Sequence, residues 1–92
     1  MIRQIPIEGT LDLHTFRPQD TRSVVEEYVM SAWKAGLSEI RLIHGRGQGI
    51  QRKIVHSALD RNPLVVDFWD APESHLGATI VNLISNAEDA AN

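Results

Sequence analysis

The sequence predicts a small α/β domain, a two-layer βαβαββ sandwich in which both helices cover one face of a small mixed sheet. Its length of 92 residues suffices for one domain. With 42% apolar and 23% charged residues, the composition is that of a globular protein. Short apolar segments alternate with two segments of helical period. We therefore expect an N-terminal extension over 1–8 with a candidate short strand, the domain over 9–84, and a frayed polar tail over 85–92.

The strands are predicted from short apolar runs. In the first, Leu11 and Leu13 share one face, and Asp12 and His14 share the other. The remaining strands are expected over 39–44, 64–69 and 78–84. The run at 64–69 is apolar enough to predict a buried strand. Because a loop joins it to the last strand, these two are expected to pair antiparallel.

The two helices are predicted from apolar residues at helical spacing. Pro18 suits the start of the first helix, which Gly36 ends. The second runs from about Ile50 to Arg61 and stops at Asn62-Pro63. Two successive right-handed crossovers place both helices on the same face of the sheet. Ligands usually bind at the carboxyl ends of the strands in such folds.

Charge and composition exclude several classes. The net charge of −3 argues against indiscriminate coating of nucleic acid, and there is no run of about 18 apolar residues or secretory leader. We expect a cytoplasmic monomer with no membrane contact. Cysteine is absent and the four histidines lack zinc-ligand spacing, so no metal site is predicted. His56 is expected to have a surface or packing role and His75 to be solvated, and Mg²⁺ held by Asp12 is left open as a cofactor.

A glycine-spaced basic stretch predicts a phosphate site. Residues 41–53 hold four of the nine basic residues and none of the twelve acidic ones. Glycines allow a close approach of the backbone to a ligand, and the start of the second helix presents unpaired N–H groups. The predicted phosphate-binding residues are Gly45, Arg46, Gly47, Gly49, Arg52 and Lys53.

Asp12, His14 and His44 are the candidate catalytic residues. They lie at the ends of two strands that are predicted to be neighbours. One imidazole could take a proton from a 2′-hydroxyl or a water while the other protonates the departing oxygen. Asp12 could orient or charge one of them. Together these residues predict acid–base chemistry on a phosphodiester.

Three motifs in order carry a family resemblance. They are Leu-Asp-Leu-His at 11–14, His-Gly-Arg-Gly at 44–47 and Gly-Ala-Thr-Ile-Val-Asn-Leu at 77–83. On them, the chain resembles the small MutS-related (Smr) domain over about residues 9–84. The resemblance implies a βαβαββ fold like that of the C-terminal domain of a bacterial translation initiation factor. It also implies a nuclease that nicks or cleaves DNA or RNA with low sequence specificity, with the first two motifs forming the nucleic-acid site.

Two other functions stay open at this point. The same loop could hold DNA or RNA, including branched or structured forms, without cutting, because the sequence shows no dense carboxylate cluster of the two-metal kind. Less favoured is a protein-interaction domain that uses an exposed sheet face.

Overall fold

The computed structural model describes residues 8–45, 49–72 and 77–86. Its elements are, in order, β1 (Thr10–Asp12), α1 (Pro18–Lys34), β2 (Glu39–Ile43), α2 (Ile50–Asp60), β3 (Val65–Asp70) and β4 (Ala78–Leu83). The predicted βαβαββ order is confirmed. The candidate strand before residue 8 and the tail beyond residue 86 lie outside the described residues.

The sheet has the strand order β1-β2-β4-β3. β1 and β2 are parallel, whereas β4 is antiparallel to both of its neighbours, which confirms the predicted pairing of the last two strands. Asp12 lies opposite Ile43 in the register of β1 and β2. The chain therefore leaves both strands at the same edge of the sheet, which places Asp12 and His14 near His44.

The core lies between the sheet and the two helices. Its largest fully buried side chains are Leu13, Ile40, Leu42, Leu59, Val25, Val29, Val55 and Val81. α1 ends because the amides of Gly36 and Leu37 donate to the carbonyls of Trp33 and Ala32, each at 3.0 Å. Within the described segments, no helix is long and apolar enough to cross a membrane.

β3 is not the buried strand that its apolar sequence predicts. Val66 is 60% exposed and Trp69 is 42% exposed. β4 takes the central position between β2 and β3, so β3 lies at the edge of the sheet. Since both helices cover the other face, side chains such as Trp69 face outward, and the prediction of a buried strand is wrong.

Candidate functional site

Asp12 and His14 form a hydrogen-bonded pair just after β1. The strand ends at Asp12, and Asp12 Oδ1 accepts the backbone N–H of His14 at 3.0 Å. The same oxygen lies 2.5 Å from His14 Nδ1. Because an ionised carboxylate only accepts, Nδ1 carries a proton, and in the neutral imidazole Nε2 is then the atom with the free lone pair. The two residues thus meet through a local turn rather than by alternation along a strand.

The pair is open to solvent and Asp12 is ionised. The side chains of His14 and Asp12 are 58% and 50% exposed. The backbone N–H of His14, and then its ring, lower the pKa of the Asp12 carboxyl below its usual value. An exposed imidazole oriented by a charged carboxylate can take up a proton from a bound molecule.

Gln51 ties the turn that carries His14 to α2. Its Nε2 donates to the carbonyl oxygens of Leu13 at 3.2 Å and Phe16 at 2.6 Å. Its Oε1 lies 2.5 Å from the hydroxyl of Thr21, which is fully buried. Sequence reasoning missed this residue, because no motif marks a glutamine that links a helix to a turn distant in sequence. Gln51 fixes the position of His14 relative to the start of α2.

Replacing Gln51 with alanine is expected to lower the free energy of unfolding by about 1–3 kcal/mol, because buried partners lose their hydrogen bonds. Gln51→Glu should also destabilise the protein, since a carboxylate cannot donate to the two carbonyls. Urea melts would measure both, with Gln19→Ala on the exposed face of α1 as the control. An unchanged midpoint for Gln51→Ala would show that the tether adds nothing to stability.

His44 is buried at the start of the segment that leads into the glycine loop (residues 45–49 of the sequence). It is 5% exposed, because Ile40, Leu42 and His44 alternate toward the helices. Its Nδ1 donates to the Gly45 carbonyl at 3.0 Å, since a carbonyl can only accept. Its Nε2 therefore accepts the hydroxyl of Thr79, at 2.9 Å. The predicted acid–base role of His44 stays a prediction, and it requires one of these two hydrogen bonds to break.

His56 and Asp70 complete a polar cluster around Thr79. The polar cluster comprises His44, His56, Asp70 and Thr79. His56 Nε2 lies 2.9 Å from Thr79 Oγ1 and 3.2 Å from Asp70 Oδ1. The ring of His56 also packs edge-on against Phe68, with centroids 5.0 Å apart. Burial, and then the charge of Arg52, lower the pKa of His56, although Asp70 opposes this.

His56 has the packing role, one of the two roles expected for it, because its side chain is only 24% exposed and is hydrogen-bonded within the polar cluster. Sequence reasoning also missed Asp70. His56, Asp70 and Thr79 come from α2, β3 and β4, which are far apart along the chain, so no short sequence spacing reveals the cluster. Only the folded sheet brings them together.

Arg52 has a carboxylate partner within the protein. Its Nη2 lies 2.7 Å from Asp70 Oδ2, and its Nε lies 3.2 and 3.1 Å from the two carboxylate oxygens. Hydrogen bonding to Asp70 raises the pKa of Arg52, and the same bond lowers the pKa of Asp70. The Arg52 side chain is still 46% exposed. A phosphate would compete with Asp70 for this guanidinium, whereas the next residue, Lys53, is exposed on α2.

The start of α2 opens into a cleft of about 280 Å³. Gly49 is the N-cap residue and has a φ of 82°, a conformation that glycine adopts without strain. It has no side chain to satisfy the first N–H groups of the helix, and no acidic residue lies in the first turn. The lining residues are His14, Phe16, Pro18, His44, Gly45, Gly49, Ile50, Gln51 and Arg52. The cleft therefore offers backbone donors and the positive end of a helix to an anion.

Most of the predicted site is brought together at this cleft. His14 contacts the glycine loop closely enough that a Cβ on Gly45 would lie 3.5 Å from the His14 Cβ. Arg41, in contrast, lies in β2 with its side chain on the face opposite to His44. Arg46, Gly47 and His75 lie outside the described residues.

Comparison with known proteins places this architecture in a family. The Smr domain profile matches residues 11–84. Endonuclease MutS2 of Caldicellulosiruptor saccharolyticus is 32% identical over 84 residues, which are 89% of this chain and 11% of that protein. Endonuclease MutS2 of Halothermothrix orenii is 33% identical over 81 residues, with coverages of 86% and 10%. The chain thus spans about a tenth of the length of these relatives.

Two solved structures share the fold. The Smr domain of Thermus thermophilus MutS2 superposes with a TM-score of 0.78 and 33% identity, covering 84% of this chain and 99% of that one. YdaL, a stand-alone small MutS-related protein from Escherichia coli, superposes with a TM-score of 0.76 and 27% identity, covering 85% and 66%. The four-stranded mixed sheet with two helices is the architecture of these Smr domains.

Proposed function

This chain belongs to the Smr domain family, and on that premise we propose that it is a nuclease that nicks or cleaves DNA or RNA with low sequence specificity. The observation that carries the proposal is the exposed Asp12–His14 pair at the edge of a cleft formed by a helix N-terminus. The helix N-terminus favours binding of an anion, and the Asp12–His14 pair favours proton transfer. The names of the MutS2 relatives describe them as endonucleases, which supports the same chemistry here.

The phosphate would bind at the glycine loop and the first turn of α2. The first backbone N–H groups of α2, which follow Gly49, have no carbonyl partner within the helix and can donate to a phosphate. Lys53 adds a positive charge one turn further along α2. Arg52 could add a bidentate contact if phosphate displaces Asp70. Gly45, Arg46 and Gly47 also remain part of the proposed phosphate site.

His14 would act as the base. Its Nε2 takes the proton from a 2′-hydroxyl or a water as the oxygen attacks phosphorus, and Asp12 stabilises the imidazolium that forms. We give His44 a structural role rather than a role in proton exchange with the substrate. Its Nδ1–H donates to the Gly45 carbonyl at the start of the glycine loop. In this arrangement, the departing oxygen takes its proton from solvent.

The test is single-turnover cleavage of matched, labelled RNA and DNA, including branched DNA, with and without EDTA. Attack by a 2′-hydroxyl leaves a 2′,3′-cyclic phosphate, needs no metal and fails when the cut position is 2′-deoxy. Cleavage of DNA needs activated water, for which Asp12 could hold Mg²⁺ together with substrate phosphates, so EDTA should stop it. If neither substrate is cut but both bind, the domain is a non-catalytic nucleic-acid-binding module.

Replacing Lys53 with alanine is expected to weaken binding of single-stranded or duplex nucleic acid in a salt-dependent way. Each lost phosphate contact should lower the magnitude of the slope of log K against log salt by about 0.7–0.9. The matched control is Lys34→Ala, because Lys34 ends α1 at the opposite end of that helix from the cleft. Equal slopes for Lys53→Ala and wild type would remove Lys53 from the interface.

A further inference from the structure

We propose that the side chains of His44, His56 and Asp70 form a binding site for a divalent transition metal, with Zn²⁺ as the best match. One ligand atom of each residue lies within 4.8 Å of the others. This site is separate from the Asp12–His14 pair and does not depend on nuclease activity. The three ligands come from the end of β2, the middle of α2 and the end of β3. A bound ion would therefore link α2 to the sheet.

One ligand–ligand distance and the donor types suit zinc, and the wider separations, of up to 4.8 Å, would shorten when the ion binds. His56 Nε2 and Asp70 Oδ1 are 3.2 Å apart, close to the separation of two ligands that each lie about 2.0–2.2 Å from one tetrahedral ion. Two imidazole nitrogens and one carboxylate favour zinc and its neighbours over Mg²⁺ or Ca²⁺, which prefer oxygen ligands. The three ligands leave a fourth position for water or another molecule.

The surrounding structure already orients one ligand. His44 donates its Nδ1–H to the Gly45 carbonyl, which leaves Nε2 as the atom that would bind the ion. Metal-bound histidines almost always donate their other ring N–H in this way. The ring of His56 is held against Phe68. A buried histidine with a fixed tautomer is a better ligand than an exposed one.

Two groups compete with the ion. Thr79 Oγ1 lies 2.9 Å from Nε2 of both His44 and His56, so the hydroxyl must give up these hydrogen bonds when metal binds. Arg52 holds the Asp70 carboxylate at 2.7 Å. An open cleft of about 230 Å³, lined in part by His44, Arg52 and Asp70, gives the ion a path to the ligands.

Isothermal titration of chelator-treated protein with ZnCl₂ tests the proposal, and Co²⁺, whose visible spectrum reports coordination, gives a second readout. One ion per chain is expected. His56→Gln and Asp70→Asn should each weaken Zn²⁺ binding by more than the roughly 10–100-fold that loss of a supporting hydrogen bond costs at metal sites. Arg52→Gln should tighten binding, because it frees Asp70. Circular dichroism of each variant verifies that it is folded.

His14→Ala is the matched control, because His14 and Asp12 could hold zinc weakly at the surface. It should bind Zn²⁺ like wild type. Loss of binding in His14→Ala with full binding in His56→Gln would overturn the proposal. So would the absence of zinc binding by wild type, which would mean that the polar cluster is held by hydrogen bonds alone. None of these experiments measures cleavage. A negative result for the metal site would therefore not bear on the proposed nuclease activity, which the cleavage assay tests separately.

Discussion

Replacing His14 with alanine is expected to slow nucleic-acid cleavage by about 10²–10⁴-fold while leaving affinity nearly unchanged. General-base catalysis contributes a factor of that size, and it acts in the transition state rather than in the bound ground state. His14 is exposed, whereas His44 is buried, and the hydrogen bond to Asp12 uses Nδ1 of His14 and leaves Nε2 available. Single-turnover rates at saturating protein, beside binding curves for the same substrate, would measure the two effects separately.

Two further variants sharpen this result. Asp12→Asn keeps the shape of the turn but removes the charge that stabilises the imidazolium, so the rate should fall by less than in His14→Ala. His44→Ala should instead lower stability, because the buried side chain and both of its hydrogen bonds are lost. If His14→Ala cuts at the wild-type rate, His14 takes no part in the chemistry. If His44→Ala stays fully stable but loses the same rate factor, His44 exchanges protons after all.

The helices and the order of elements could be predicted from local signals. α1 begins at Pro18 and ends just before Gly36, and α2 begins at Ile50, because these boundaries depend on residues that sit at the boundaries themselves. The exposure of β3 could not be predicted in this way. An apolar strand is buried or exposed according to which strands flank it, and the insertion of β4 beside β2 is a long-range outcome.

The site shows the same division. The proximity of Asp12 and His14 to His44 could be predicted because each motif lies at the end of its strand, and parallel neighbours bring those ends together. Their individual states were not identifiable, since burial of His44 and exposure of His14 depend on side-chain orientation at the edge of the sheet. Asp70 is an acidic residue from another part of the chain that pairs with Arg52. The unbalanced charge of residues 41–53 is therefore partly neutralised in the fold.

Replacing Leu13 with alanine is expected to lower the free energy of unfolding by about 2–5 kcal/mol, the cost of a cavity at a fully buried leucine. That is a large part of the roughly 5–15 kcal/mol that stabilises a domain. Leu13 is fully buried, its N–H donates to the Ile43 carbonyl at 2.7 Å, and its own carbonyl accepts from Gln51. A urea melt with a two-state fit would measure the change.

Leu11→Ala is the matched control for this prediction, because Leu11 points toward the same layer from the middle of β1 but is only half-buried. It should cost clearly less than Leu13→Ala. Since Leu13 lies between Asp12 and His14, cavity formation there should also disturb the hydrogen-bonded pair, so activity measured well below the melting temperature should fall as well. Equal destabilisation by Leu11→Ala and Leu13→Ala would contradict the burial difference between the two leucines. Unchanged activity in a destabilised Leu13→Ala would show that the turn holds its geometry without the core beneath it.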